Sequence, residues 1–290
     1  MIKQGRLKND IVFEVINGLI MMLVVVVTVY PFLNIIALSF SKTTTIGLSL
    51  LPKEFTLINY TRVIENNLIW VGLQNTIIRV IVGTSLTLIV MIMFAYTLSK
   101  KDLPGRVFLT LFIVFTMFFD GGLIPRYILI KNLHLMNTMW ALVLPRLIDT
   151  FALIVMRNYM MSLPDSLEES AKIDGASYFR ILFSIIAPIS MPIIATVILW
   201  TAVWHWNAWF DVLLYIKDYD KMVLQYVLRR IVIEGASDTM NVMMESVNEI
   251  VPAESIKAAA IIFSTIPILI VYPFLQKYFV KGIMVGSLKG

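Results

Sequence analysis

The chain has no cysteine, which excludes disulfides, thiolate metal sites and a cysteine nucleophile. Its two histidines, His134 and His205, are too few for a histidine-based metal cluster, and no metal site is expected. Charge is scarce as well: 15% of residues are Asp, Glu, Lys or Arg, against about a quarter in soluble domains. Gly-x-Ser-x-Gly, His-Glu-x-x-His and P-loop patterns do not occur, so the common signatures of serine hydrolases, zinc proteases and nucleotide hydrolases are missing. The formal charge is +5, yet no basic run of the nucleic-acid-binding kind is present. The excess fits anchoring to anionic membrane surfaces instead.

What is abundant is apolar surface: 59% of residues are hydrophobic. Ile11–Phe40, Val71–Leu98 and Ile256–Val280 each exceed the roughly 20 residues a helix needs to cross a ~30 Å hydrocarbon core. Ten-residue alternating segments of the barrel type are absent, so the sequence predicts an all-α membrane protein. Six transmembrane helices are expected, along Ile11–Phe40, Val71–Leu98, Val107–Ile124, Thr138–Met156, Ile193–Ile216 and Ile256–Val280. Lys3, Arg6 and Lys8 precede the first run, but that run is too long for a signal-peptide core and no cleavage site follows. The connection holding Lys100, Lys101 and Arg106 is expected to be cytoplasmic, which puts both termini and Arg157–Met191 on the same side. Ser41–Trp70, Pro125–Asn137 and Lys217–Ser255 then face outward. One transmembrane domain over 1–290 is expected, with an inner loop at 158–192 and a large outer loop at 217–255.

The inner loop is the most informative segment. Asp165 follows Ser162-Leu163-Pro164 and is expected to cap a short helix carrying Glu168 and Glu169 in its first turns. Gly175 is expected to allow a sharp turn where a side chain would be in the way. A second helix should run from about Ser177 until Pro188 and Pro192 interrupt it. By shape alone this could be an ordinary interfacial helix.

The residues say more. Glu169-Ser170-Ala171, Gly175, Ile185, Ala187 and Pro188 stand at a spacing that resembles the EAA loop of ABC importer permeases. Asp174-Gly175-Ala176 is similar to the carbohydrate-importer form of that loop, while Ser170 and Ala187 depart from the usual Ala and Leu. Asn75-Thr76, Ala95-Tyr96, Ile124-Pro125 and the tail Lys281-Gly282 to Lys289-Gly290 resemble the smaller permease of maltose-type sugar importers. Phe119–Pro125 and Met156-Arg157-Asn158-Tyr159 look most like permeases for complex oligosaccharides.

The resemblance implies a type I ABC importer permease fold in a bacterial cell membrane. It implies half of a heterodimeric pore, completed by a homologous second permease, two ATPase subunits and an extracytoplasmic solute-binding protein. ATP and Mg would be bound by the partner ATPase; no cofactor and no catalysis are expected of this chain. Glu168, Glu169, Ser170, Ala171, Asp174, Gly175 and Ala176 would form the ATPase-coupling segment, with Glu169, Ala171, Asp174 and Gly175 in the ATPase groove. Gly286, Ser287, Lys289 and Gly290 would reach between the ATPase subunits, and the 217–255 loop would touch the binding protein.

Polar residues inside apolar runs are costly, so they usually face protein or water. Arg146 and Asp149 read either as a self-neutralising pair or as pathway lining, and the paired reading is preferred. Arg79 is expected to snorkel toward the interface. On one continuous helix Trp200 and Trp204 share a face opposite Trp206 and Trp209, which favours an interfacial belt. Trp204 and Asn207 remain candidates for pathway lining, and His205 reads as a hydrogen-bonded packing residue. The alternatives are an ABC permease for a non-sugar solute, or a membrane-embedded enzyme using Asp120 and Asp149 as a carboxylate dyad.

Overall fold

A computed structural model describes residues 8–43, 50–234 and 252–287. The chain begins with α1 (Lys8–Ser39), α2 (Ile58–Glu65) and the 33-residue α3 (Asn67–Ser99). Shorter pieces follow: α4 (Arg106–Phe118), α5 (Leu123–Asn132), α6 (Trp140–Val143) and α7 (Thr150–Met161). Next come α8 (Ser166–Ile173), α9 (Tyr178–Ile181), α10 (Ala187–Ile189) and α11 (Met191–Asn207). The last elements are α12 (Phe210–Tyr215), α13 (Leu224–Arg229) and α14 (Ala253–Ser287). Among the described residues the only extended pairing is an isolated bridge between Ser41 and Phe55.

The all-α membrane class expected from composition is what the chain forms, but several spans are not continuous. Three helical stretches are long and apolar enough to cross a membrane alone: Phe13–Ser39, Asn67–Ser99 and Ala253–Val271. Two bent pairs bring the number to five among the described residues, α4 with α5 at 110° and Tyr178–Ile189 with α11 at 83°.

Each break has a local cause. The expected span Val107–Ile124 stops at Phe118, because Gly121 (φ +73°) and Gly122 (φ +89°) turn the backbone into conformations that only glycine adopts freely. The Gly122 N–H donates to Asp120 Oδ1 at 2.7 Å and closes that turn. Thr138–Met156, expected as one span, is instead α6, a 3-10 turn at Leu144–Arg146 and α7. Asp149 is extended there, and its carboxylate accepts the Ala152 N–H at 3.0 Å as the cap of α7. Ile193–Ile216 divides at Ala208, also extended, before α12. In 182–186 a wide π turn precedes Pro188, which has no N–H to continue the helix ladder.

Two compact units emerge, Met1–Asn66 with Ile231–Thr265, and Asn67–Arg230 with Ile266–Gly290. In the first, α1 ends in a polar knot. Asn59 Nδ2 donates to the carbonyls of Ser39 (2.8 Å) and Ser41 (3.0 Å), and Phe40 stacks on Phe55 at 5.4 Å. None of the most apolar window of α1 is buried, leaving a surface suited to lipid or another chain.

In the second unit α3 is the central post, packed on α7, α11 and α13. Its small residues Gly72, Thr76, Gly83 and Thr87 let neighbours approach closely. Thr76 Oγ1 accepts the Leu224 N–H at 2.9 Å, and Asn75 Nδ2 donates to the carbonyls of Asp220 and Met222 at 2.8 and 2.9 Å. The Asn-Thr pair thus holds the start of the outer segment. Gly83 lies against the buried His205 ring, where an added Cβ would come within 2.4 Å of Nε2. His205 packs there with both ring nitrogens unpartnered, so the expected hydrogen bond is not made. Accordingly, Gly83→Ala should destabilise the chain by about 1–3 kcal/mol. The same change should cost less than half as much in a His205→Ala background, read as thermal midpoints in detergent; equal costs would mean the two sites are uncoupled.

Candidate functional site

The inner loop is built as a rigid helix and turn. Asp165 stands at the N-cap of α8 but makes no capping bond; its carboxylate instead accepts from Lys101 Nζ at 2.8 Å. The hydrogen bond and charge of Lys101 hold Asp165 below the usual carboxylate pKa, and Asp165 raises that of Lys101. The depressed acid means that this contribution is present above the unfolded carboxylate pKa and is lost as pH falls through the folded one. Both groups are exposed, so the contribution is small.

Glu168 is the firmer anchor. It takes an ion pair from Lys100 Nζ and a hydrogen bond from Tyr96 Oη at 3.4 Å, while Lys100 sits 3.9 Å over the Tyr96 ring. The end of α3 therefore grips α8. At the other end, Ala176 N–H donates to Ala171 O (2.9 Å) and Gly175 N–H to Lys172 O (3.0 Å), the paired bonds of a Schellman cap. Gly175 has φ +77° with nothing within 4 Å of an added Cβ. The turn therefore needs glycine for its backbone conformation, and the expected crowding is absent. Ser177 then caps α9, accepting the Arg180 N–H at 3.4 Å.

The seven coupling candidates divide between two faces. Ala171 is 6% exposed and packs in the core with Ile181 and Leu182, so its side chain faces the chain's own body. Glu168 and Ala176 also turn toward the chain's own body. Glu169, Ser170, Asp174 and Gly175 face outward beside Ile173, which is 87% exposed, and the exposed rings of Tyr178 and Phe179.

A second feature lies where the helices break. A cavity of about 930 Å³ is lined by Trp200, Trp204, Trp209, Asn207, Arg146, Arg126, Asp120 and Asp211 among others. A smaller one of about 250 Å³ is lined by Arg146, Asp149, Trp200 and Trp204 with Thr87 and Phe151. All four pathway candidates, Arg146, Asp149, Trp204 and Asn207, thus border one cavity or both. Because α11 ends at Asn207, Trp209 no longer follows its helical phase and lines the same cavity as Trp200 and Trp204; Trp206 does not line it. The two-faced belt expected from a continuous helix does not form.

Arg146 pairs with Asp149 at 2.9 Å, as its spacing suggested, although across a break and not along a helix. Arg126 pairs with Asp120 at 3.1 Å. Asp120 and Asp149 each face their own arginine, an arrangement unlike the shared-proton dyad an enzyme would need.

Arg79 does not snorkel. It is fully buried, with both terminal nitrogens on the Asp211 carboxylate and further bonds to the carbonyls of Leu142 (3.3 Å) and Ala208 (3.4 Å). Sequence reading passed over Asp211, yet the signal was available: Arg79 is the single charge in Val71–Leu98 and Asp211 the single carboxylate in Ile193–Ile216.

Of the tail residues, Gly286 and Ser287 belong to α14, while Lys289 and Gly290 lie outside the described residues. In the outer loop, Asn137 Nδ2 donates to Asp218 at 2.5 Å, and Asn137 Oδ1 accepts the Lys217 N–H at 3.1 Å. Residues 235–251 of that loop lie outside the described residues.

Reversing one charge at the grip should loosen the loop. Lys100→Glu is expected to speed amide exchange across α8, and Lys100→Glu with Glu168→Lys should return it toward the parent rate. Unchanged exchange in the single variant would remove Glu168 as the anchor.

Comparison with known proteins places these features in context. Residues 103–285 match the family described as binding-protein-dependent transport system inner membrane component. The chain is 38% identical over 287 residues to the polygalacturonan/rhamnogalacturonan transport system permease protein YtcP of Bacillus subtilis, covering 98% of this chain and all of that one. It is 42% identical to protein LplC of the same organism, covering 99% of this chain and 97% of the other. Its fold matches a chain in the crystal structure of a bacterial ABC transporter involved in import of the acidic polysaccharide alginate, with TM-score 0.87, 30% identity, and coverage of 96% and 100%. The chain belongs to the family of inner membrane components of binding-protein-dependent transport systems.

Proposed function

We propose that this chain is one of two permease subunits in a bacterial ABC importer for an oligosaccharide. A homologous permease completes the pore, two ATPase subunits bind the cytoplasmic side, and a solute-binding protein delivers sugar from outside. ATP and Mg belong to the ATPase partners. The observation that carries the reading is a cavity walled by three tryptophans in the same unit that presents a rigid, outward-facing helix and turn. Indole faces suit the flat apolar faces of sugar rings, and a few polar side chains supply orientation. Among the similar proteins, one is named for polygalacturonan/rhamnogalacturonan transport and one belongs to an importer of the acidic polysaccharide alginate.

The contacts also suggest how movement would pass between the two. A pull on α8 is felt at Tyr96 and Lys100, at the end of α3. About 26 Å along that helix, Arg79 holds Asp211 and the broken ends around the cavity. One stiff helix thus links the ATPase-facing loop to the solute wall.

Gly175 tests the coupling. Gly175→Val forces a β-branched residue to positive φ and should cut sugar uptake at least tenfold with membrane insertion intact. Gly175→Asn, which tolerates that conformation, should retain most uptake, since the space around the position is open. Normal uptake with valine would rule out the docking role.

A further inference from the structure

We propose that Arg229 is a positioning residue for transport. Carried on the outer segment, its guanidinium sets the plane of the Trp209 ring in the larger cavity and so ties that segment to the hold on solute; this rests on the permease reading above. Trp209 sits in the break between α11 and α12, where no helix fixes the direction of its side chain. Its backbone is engaged, with the Trp209 carbonyl accepting the Leu213 N–H at 3.2 Å. Its ring meets Phe210 edge-on at 5.5 Å, but Phe210 is the next residue and moves with it. The contact that comes from elsewhere is Arg229, whose guanidinium lies 3.8 Å from the ring centroid. At that distance the cation is drawn to the aromatic face.

Arg229 is committed to this ring. It is half-buried, and among the described residues its side chain forms no ion pair and no hydrogen bond. Arg229 does not line the cavity, so its influence on a solute passes through Trp209. The other two cavity tryptophans are held differently. Trp204 carries Arg146, itself a cavity residue, at 4.8 Å and the buried Arg79 at 5.6 Å. Trp200 meets Phe151 of α7 at 5.7 Å. Of the three, Trp209 is the one whose holder comes from the outer segment.

The element that carries Arg229 is itself fixed on α3. Leu224, Val227 and Leu228 of α13 are buried, and Leu224 donates its N–H to Thr76. Gly72 approaches so closely that an added Cβ would lie 3.1 Å from the Leu224 backbone. Arg229 is the last residue of α13, which therefore places it. The break at 208–211 is thus held by two arginines from separate elements. Arg79 holds Ala208 and Asp211 through an ion pair and a backbone bond, whereas Arg229 holds Trp209 through one face contact. A shift of α13 would release the ring and leave Asp211 in place, so the outer segment can reshape the cavity at Trp209 alone.

The test has two readouts. In the full chain in nanodiscs, acrylamide quenching of Trp209 fluorescence is read as parent minus Trp209→Phe. Arg229→Gln should raise that quenching constant about twofold or more, and Arg229→Lys, which keeps the cation, should recover at least half of the change. In the Trp209→Phe background Arg229→Gln should change nothing, because the remaining tryptophans keep their contacts. In cells carrying the whole importer, uptake is followed with trigalacturonate and with maltotriose. For whichever the parent imports, Arg229→Gln should raise the half-saturating concentration about threefold or more while the maximal rate stays within about twofold. Lysine should restore most of it. Unchanged quenching with glutamine would overturn the proposal, as would a rise that persists without Trp209, the mark of general loosening. A half-saturating concentration at the parent value, or a loss of maximal rate alone, would also overturn it and leave the permease reading standing. A parent that imports neither sugar would overturn the oligosaccharide reading, and the transport role of Arg229 with it.

Discussion

The pairing of Arg79 with Asp211 is the constraint on which the rest of this chain depends. A buried ion pair is stable only when its remaining hydrogen-bonding groups are satisfied, and losing one partner costs about 3–5 kcal/mol. Here the surplus guanidinium donors go to the carbonyls of Leu142 and Ala208. Leu142 lies in the last turn of α6, and Ala208 lies in the gap between α11 and α12. Backbone groups released by broken helices have no water to bind at membrane depth, so they need partners within the protein. Arg79 supplies them at Leu142 and Ala208, while Asp120 and Asp149 do so for the N–H groups at the breaks 119–122 and 144–149.

The inner loop follows a related economy. Three of the seven residues serve the chain itself: Glu168 is gripped by Lys100 and Tyr96, and Ala171 and Ala176 close against the core. The other four, Glu169, Ser170, Asp174 and Gly175, face outward on the segment held in this way. Inward residues fix the segment against the core while outward ones stay exposed on the same short stretch.

Charge inside the membrane region follows one principle throughout. Each aspartate at a break is both a counter-ion and a backbone acceptor, as Asp120 and Asp149 show with Gly122 and Ala152. That double duty lets one carboxylate neutralise an arginine and close a backbone turn at the same place.

Composition and apolar run length determined the all-α membrane class, because only helices satisfy their own backbone across hydrocarbon. Residue pattern was enough to locate the short helix at Ser166–Ile173, its glycine turn and the Arg146–Asp149 pair, since each is set by neighbours a few residues apart. The breaks at 119–122 and 144–149 carry local turn signals, Asp120-Gly121-Gly122 and Pro145 with Asp149, but these sit inside long apolar stretches whose length alone suits a continuous span, and the break at 208–209 carries none. With the breaks unseen, Trp209 was assigned to the wrong face and Arg79 to the interface. Tertiary structure alone decided that Arg79 meets Asp211, 132 positions away. It also decided that three tryptophans and two arginines line one cavity. Such contacts depend on where broken helices end in space, and no local preference of the chain encodes that.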